Sequence, residues 1–332
     1  MRTLRVAYLG FGTVNRALHA LLARRRRGLA DEYGLGCETV GVATRTAGWL
    51  ETPAGYDPAS AESGRSTSHA GIDAWLDAIR PDVVFEAIAL DPQAGEPALS
   101  HTRAILSRGI SVVSANKGPV VHGYRELAAL AREKACAYRF EASVMDGAPV
   151  FSLVRDCLPL AGISGVRGVF TSTATVVLEA VEQGLSPEQG IERAQRLGIA
   201  EEDPSFDIDG WDSAVKLCAV GNVLLGADLR PEQVARAGIR DLAVADVVRA
   251  KHEGSPFRLV GDVRRDEHGR VTARVAPERC RPDGPLGIVH GPTLVMRYDA
   301  DVFPGGLVVT SRDPDATTTA YGMFADLLRL PL

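Results

Sequence analysis

Asp212 and Lys216 stand four residues apart in a stretch that reads as a helix beginning near Trp211, so both fall on one face together with Val220. A carboxylate beside an ammonium suits carbonyl reduction: the ammonium gives a proton to the nascent alkoxide and stabilises its charge while a hydride arrives from elsewhere. Spacing alone favours a surface ion pair worth about a few tenths of a kcal/mol. The hydride side of such a reaction is suggested by Gly10-Phe11-Gly12-Thr13-Val14-Asn15, which follows an apolar strand and opens a helix. In that context Gly10 allows the tight turn, and Gly12 lets the backbone approach a pyrophosphate at the helix N-terminus. Asn15 replaces the usual third glycine, so a side chain must pack between helix and strand, and the helix is expected to stand off slightly. The next strand ends Val42-Ala43-Thr44-Arg45, with an arginine where an acid would bind ribose hydroxyls. This favours NADP through the 2′-phosphate, with NAD still open; alternatively Arg45 projects into solvent. Lys117 follows a strand at its carboxyl end, the edge where open α/β sheets bind ligands.

The elements that must position these residues follow two styles. Apolar strands at Arg5–Gly10, Thr39–Thr44, Val83–Ile88, Ser111–Asn116 and Tyr138–Ser143 alternate with helices at Val14–Arg27, Ile72–Ile79, Glu96–Arg108 and Tyr124–Lys134. Continuous apolar strands separated by helices predict a doubly wound α/β domain, a parallel Rossmann-type sheet covered on both faces. Gly48 to Ala70 reads as a long surface loop, and Arg24 to Arg27 as either a phosphate-attracting patch or cations at a helix C-terminus. Beyond Val150 come helices at Val176–Gln183 and Pro187–Leu197, then strand-like runs at Phe257–Val263, Arg270–Val275, Thr293–Tyr298 and Gly306–Thr310. That pattern predicts a second, mixed α+β domain for catalysis and dimerisation. The expected division is 1–140, completed by a returning helix within 312–332, and 141–311.

The 332 residues carry a net charge of −5, against a nucleic-acid surface, which is usually basic. No run of about 18 apolar residues and no secretory signal is visible, so a cytoplasmic enzyme without membrane partners is expected. Five widely spaced cysteines predict buried or half-buried free thiols, and the seven histidines show no metal-ligand spacing.

Several strings resemble homoserine dehydrogenases over nearly the whole chain: Gly10 to Val14, Phe85-Glu-Ala87, Gly95-Glu-Pro-Ala98, Ser114-Ala-Asn-Lys117-Gly-Pro119, Phe140 to Val144, Asp146-Gly-Ala-Pro149, and Leu197-Gly-Ile-Ala-Glu201-Glu-Asp-Pro204 leading through Asp207, Asp209 and Asp212 to Lys216. The resemblance implies reduction of L-aspartate 4-semialdehyde to L-homoserine with NAD(P)H, within threonine and methionine biosynthesis. It implies Lys216 as proton donor and Asp212 in the substrate site. It further implies Lys117 touching cofactor and substrate, Glu201 holding the substrate ammonium, and Thr173 and Asp207 nearby. Gly10, Phe11, Gly12, Thr13, Val14 and Arg45 would bind the cofactor. A monovalent cation would sit on Glu141, Val144, Asp146 and Ala148, mostly through backbone oxygens, and the enzyme would be a homodimer. The sequence departs from the family at Thr171-Ser-Thr-Ala-Thr-Val-Val-Leu178, where two asparagines and a tyrosine are missing, and at Leu294, where another asparagine is usual. Asp313-Pro-Asp-Ala-Thr317 replaces a Gly-rich turn. These losses leave room for a different short semialdehyde or hydroxy amino acid, or for a dinucleotide-binding protein without catalysis. No regulatory domain is expected after the last helix, and hence no feedback inhibition through one.

Overall fold

The computed structural model describes residues 1–52 and 67–331. Its contacts divide the chain into two units, Met1–Gly147 with Asp315–Leu332, and Ala148–Pro314.

The first unit opens with β1 (Arg2–Leu9), α1 (Thr13–Arg24), α2 (Arg26–Tyr33), β2 (Leu35–Thr44), β3 (Gly48–Glu51) and β4 (Thr67–His69). It continues through α3 (Ile72–Ile79), β5 (Val83–Glu86), α4 (Ala98–Ser107), β6 (Ser111–Ser114), α5 (Lys117–Glu133) and β7 (Tyr138–Arg139). The strands lie in the order β4-β3-β2-β1-β5-β6-β7. Pairing is parallel from β2 through β1 to β7, and β3 and β4 add an antiparallel edge. Chain direction across the sheet reverses between β1 and β5, which makes the carboxyl ends of those two strands the topological switch point.

Three expectations are corrected here. Gly48 to Ala70 is not all loop: Trp49 to Glu51 pair with Thr67 to His69, and the rest of that stretch lies outside the described residues. The strand expected over Tyr138–Ser143 ends at Arg139 and gives way to a 3-10 turn at Glu141–Ser143, because the Glu141 amide is taken by the Asp326 carboxylate at 2.8 Å. The arginines do not close one helix: Arg24 ends α1, whereas Arg26 and Arg27 open α2.

The second unit contains β8 (Ile163–Val169), α6 (Ser172–Glu182), α7 (Pro187–Arg196), α8 (Ser205–Ile208) and α9 (Trp211–Leu224). Then follow β9 (Ala235–Arg236), α10 (Val244–His252), β10 (Phe257–Arg265), β11 (Val271–Arg279), β12 (Leu294–Ala300) and β13 (Phe303–Ser311). Its sheet has the order β13-β12-β8-β10-β11-β9, antiparallel except for β9 on β11. Registered side by side on β8, β10 and β12 are Arg167, Asp262 and Arg297. Arg167 reaches Asp262 at 3.5 Å, and Glu278 as well. Further along the same strands Val169, Val260 and Val295 join Cys280, Leu286 and Val289 in an apolar cluster.

The chain then returns to the first unit as α11 (Ala316–Leu327), started by a capping box between Asp315 and Thr318. Its Ala320, Met323, Phe324 and Leu327 join Leu4, Tyr8, Leu18 and Phe85 in one buried cluster. All five cysteines are free thiols, but Cys157 is exposed rather than buried. No helix among the described residues is long and apolar enough to cross a membrane.

Candidate active site

In the first unit the turn from β1 to α1 carries Gly10, Phe11, Gly12, Thr13 and Val14. Gly10 takes φ +82°, and a Cβ there would lie 2.6 Å from the Ala87 carbonyl oxygen, so only glycine fits. Among the described residues, chain neighbours aside, nothing lies within 4 Å of a Cβ placed on Gly12, so these residues leave space beside the helix cap for a ligand's phosphates. Asn15 is fully buried, and it does more than pack. Its Nδ2 donates to the Gly10 carbonyl at 2.6 Å and the Phe85 carbonyl at 3.2 Å, tying the ends of β1 and β5 together. Arg45 is exposed just beyond β2, in a turn where Thr44 Oγ1 accepts the Ala47 amide at 2.9 Å.

Lys117 is the first residue of α5, which begins earlier than the helix expected from Tyr124. Asn116 caps this helix: its Oδ1 accepts from the Gly118 amide at 2.9 Å. Behind the cap lies Glu86, fully buried at the carboxyl end of β5 and paired in register with Ser114. Its carboxylate accepts from the Ser114 hydroxyl, from the Ile88 amide at 3.0 Å and from Asn116 Nδ2 at 3.2 Å. Burial raises its pKa above the usual carboxylate range, and these three donors oppose the rise.

The second unit gathers Lys216, Asp212 and the start of α6. Lys216 Nζ donates to the Phe170 carbonyl at 2.6 Å and lies 2.8 Å from Asp212 Oδ2, with about a tenth of each side chain exposed (11% and 12%). The helix spacing thus produces a buried ion pair rather than a surface one. Thr171 Oγ1 donates to Asp212 Oδ2 at 3.2 Å and lies 2.8 Å from the Ser213 hydroxyl. Phe170 reaches this position because its ring lies across Gly168 and Gly261, where a Cβ would come within 3.1 and 2.9 Å of ring atoms. Thr173 Oγ1 lies 2.7 Å from Asp207 Oδ2 and 3.0 Å from the Ile199 carbonyl. Glu201 follows on the same loop, whose carbonyl is held by Gln195 Nε2 at 3.1 Å, and its exposed carboxylate makes no ion pair among the described residues. Asp209 is bound by Arg240 at 2.8 Å, which fixes the approach to α9.

A family model for homoserine dehydrogenase matches residues 149–328, and one for the homoserine dehydrogenase NAD binding domain matches 10–141. The chain belongs to the homoserine dehydrogenase family. It is 33% identical to an NAD(+)-dependent homoserine dehydrogenase of Pseudomonas canavaninivorans, over 99% of this chain and 97% of that protein. It is 26% identical to a homoserine dehydrogenase of Sulfurisphaera tokodaii, over 98% of each. Among solved structures, a hyperthermophilic archaeal homoserine dehydrogenase in complex with NADPH superposes with TM-score 0.83 at 26% identity, covering 99% of this chain and 97% of that one. A homoserine dehydrogenase from Thiobacillus denitrificans superposes with TM-score 0.84 at 28% identity, covering 99% and 73%. The protein is therefore an NAD(P)-dependent oxidoreductase acting on a CH–OH group, and the non-catalytic reading falls.

Within this homoserine dehydrogenase fold, Leu294 is an apolar residue, 1% exposed, at the start of β12. The cation positions have a different character. Glu141 opens a 3-10 turn, Val144 is buried, Asp146 takes φ +49° and accepts from Thr319 Oγ1 at 3.4 Å, and Ala148 begins the second unit. Among the described residues no three His, Cys, Asp or Glu side chains gather as ligands of a metal ion. The chemistry below does not call on one. Sequence reasoning assigned no role to Glu86, Asn116 or Thr171; the available signal was an acid directly after the apolar Val83-Val84-Phe85.

Proposed function

We propose that the protein interconverts L-homoserine and L-aspartate 4-semialdehyde, with NADP preferred over NAD, and that Lys216 transfers the proton. The observation that carries this reading is the buried pair of Lys216 and Asp212 at 2.8 Å, held by Thr171 and the Phe170 carbonyl. When bound, the nicotinamide accepts or supplies the hydride. In the oxidising direction Lys216, as the neutral amine, takes the hydroxyl proton as the hydride leaves carbon and becomes the ammonium; in reduction that ammonium returns the proton to the alkoxide and stabilises the charge. Asp212 orients the ammonium. Glu201, a carboxylate with no ion pair among the described residues, receives the substrate ammonium, while Thr173 and Asp207 fix the loop that presents it. Gly10 to Val14 seat the pyrophosphate, Lys117 adds a cation at the carboxyl edge of the first sheet, and Arg45 pairs with the 2′-phosphate.

Homoserine with NADP and with NAD in separate absorbance assays tests the reading: reduction of both is expected, faster with NADP. Arg45→Ala should weaken NADP much more than NAD. Dinucleotide binding without turnover of homoserine would favour a different short semialdehyde, the reading that buried, apolar Leu294, Val176 and Val177 support. A cytoplasmic homodimer is part of the same proposal. It is supported by the edge strand β13, which leaves Phe303 and Val308 in solvent, and light scattering checks it.

A further inference from the structure

Arg16 lies at the fourth position of α1, where its amide donates to the Gly12 carbonyl at 3.0 Å, and its exposed guanidinium sits over the Phe11 ring at 5.1 Å. Phe11 is itself 8% exposed and packed edge-on against Tyr8 at 5.2 Å, so it is a fixed platform for a stacked cation. The location is electrostatically adverse. The first turn of α1 contains no acidic residue, its cap Gly12 supplies no side-chain acceptor, and the unpaired amides there already make the helix end positive. Arg16 makes no ion pair among the described residues. A cation stacked on Phe11, the residue before Gly12, and held where the empty helix disfavours it is matched only when an anion arrives.

The geometry points to Arg16 as a further cofactor-binding residue that contacts the pyrophosphate, the part common to NAD and NADP, rather than the 2′-phosphate. This rests on the dinucleotide occupying the turn at Gly10 to Val14. Phe11 fixes the guanidinium's reach, so little side-chain freedom is lost when the charge-assisted hydrogen bonds form.

The test is a fluorescence titration of the full chain with NADH and with NADPH, alongside thermal melting without ligand. Arg16→Gln should weaken both cofactors about tenfold, in equal proportion, with a shallower salt dependence. Its unliganded melting temperature should be no lower than wild type, because the adverse helix-end charge is gone. Arg16→Lys, which keeps the charge but not the planar fork, should fall between. Unchanged affinity for both cofactors overturns the proposal. So does a loss confined to NADPH, which would make Arg16 a 2′-phosphate ligand, and so does a lowered melting temperature accompanying the loss, which would make its role structural. If the wild-type chain binds neither cofactor, the reading of the turn itself fails, and that result is separate from any of these.

Discussion

Two carboxylates, Asp212 and Glu86, show how burial assigns different work to one chemical group. Asp212 is matched by a cation at 2.8 Å, so removing Lys216 strands a largely buried charge as well as removing the proton carrier. Lys216→Met, which keeps an apolar stem in place, should lower kcat about 100- to 10,000-fold while NADPH still binds. Near-normal turnover in the absorbance assay would end the assignment. Among the described residues no cation pairs with Glu86, and three hydrogen-bond donors only partly offset its burial. Its folded pKa is raised, so over the window opening near the ordinary value of 4.5 the folded chain binds more protons than the unfolded one. The stability Glu86 contributes is therefore present at low pH and lost as pH rises through the folded pKa. Glu86→Gln can keep accepting from Ile88 and Asn116 while donating to Ser114. Its melting temperature relative to wild type should rise from about pH 5 to about pH 8, and a difference that is flat with pH would refute this. Asp212 and Lys216 were legible because helical spacing joins them within one segment. Glu86 was not, because its partners Ser114 and Asn116 meet it only through the register of β5 with β6.

At the scale of elements, strong apolar runs and caps were legible, while ends set by distant partners were not. Ile72–Ile79 was read at its observed limits, since Trp75, Leu76 and Ile79 make a plain buried stripe. The strand after Tyr138 was overrun because the group that ends it, Asp326, lies on the last helix. Lys117 was read as following a strand, and its place as the first residue of α5 depends on the Asn116 cap. The turn from β1 to α1 was recognised from its glycines, yet their tasks differ and can be separated. Gly10→Ala imposes a Cβ 2.6 Å from the Ala87 oxygen at a left-handed φ, and should cost about 1–3 kcal/mol of stability along with dinucleotide binding. Gly12→Ala meets no atom of the described residues beyond its chain neighbours within 4 Å, so its melting temperature should stay near wild type while dinucleotide affinity falls. Equal thermal losses in the two variants would show that the space over Gly12 is not reserved for a ligand.

For the whole molecule, the decisive feature is that the first unit is completed by the end of the chain. Leu327 is fully buried in the same cluster as Leu4 and Phe85, and Asp326 and the Arg329 carbonyl hold Glu141 and Arg139 at the exit of β7. The sequence pattern suggested this return as a helical tail but could not show its partners, because they lie at the opposite end of the chain. Leu327→Ala deletes side-chain volume from a core with few ways to collapse and should cost about 2–5 kcal/mol. Because a dinucleotide binds the folded first unit and not the unfolded chain, NADPH at about 100 times its dissociation constant should return about 2.7 kcal/mol of that loss. Thermal melts of wild type and Leu327→Ala, each with and without NADPH, measure both terms. A variant that melts like wild type would separate α11 from the core of the first unit. A destabilised variant that NADPH fails to raise would mean that the last helix shapes the dinucleotide turn itself, beyond sealing the apolar layer behind it.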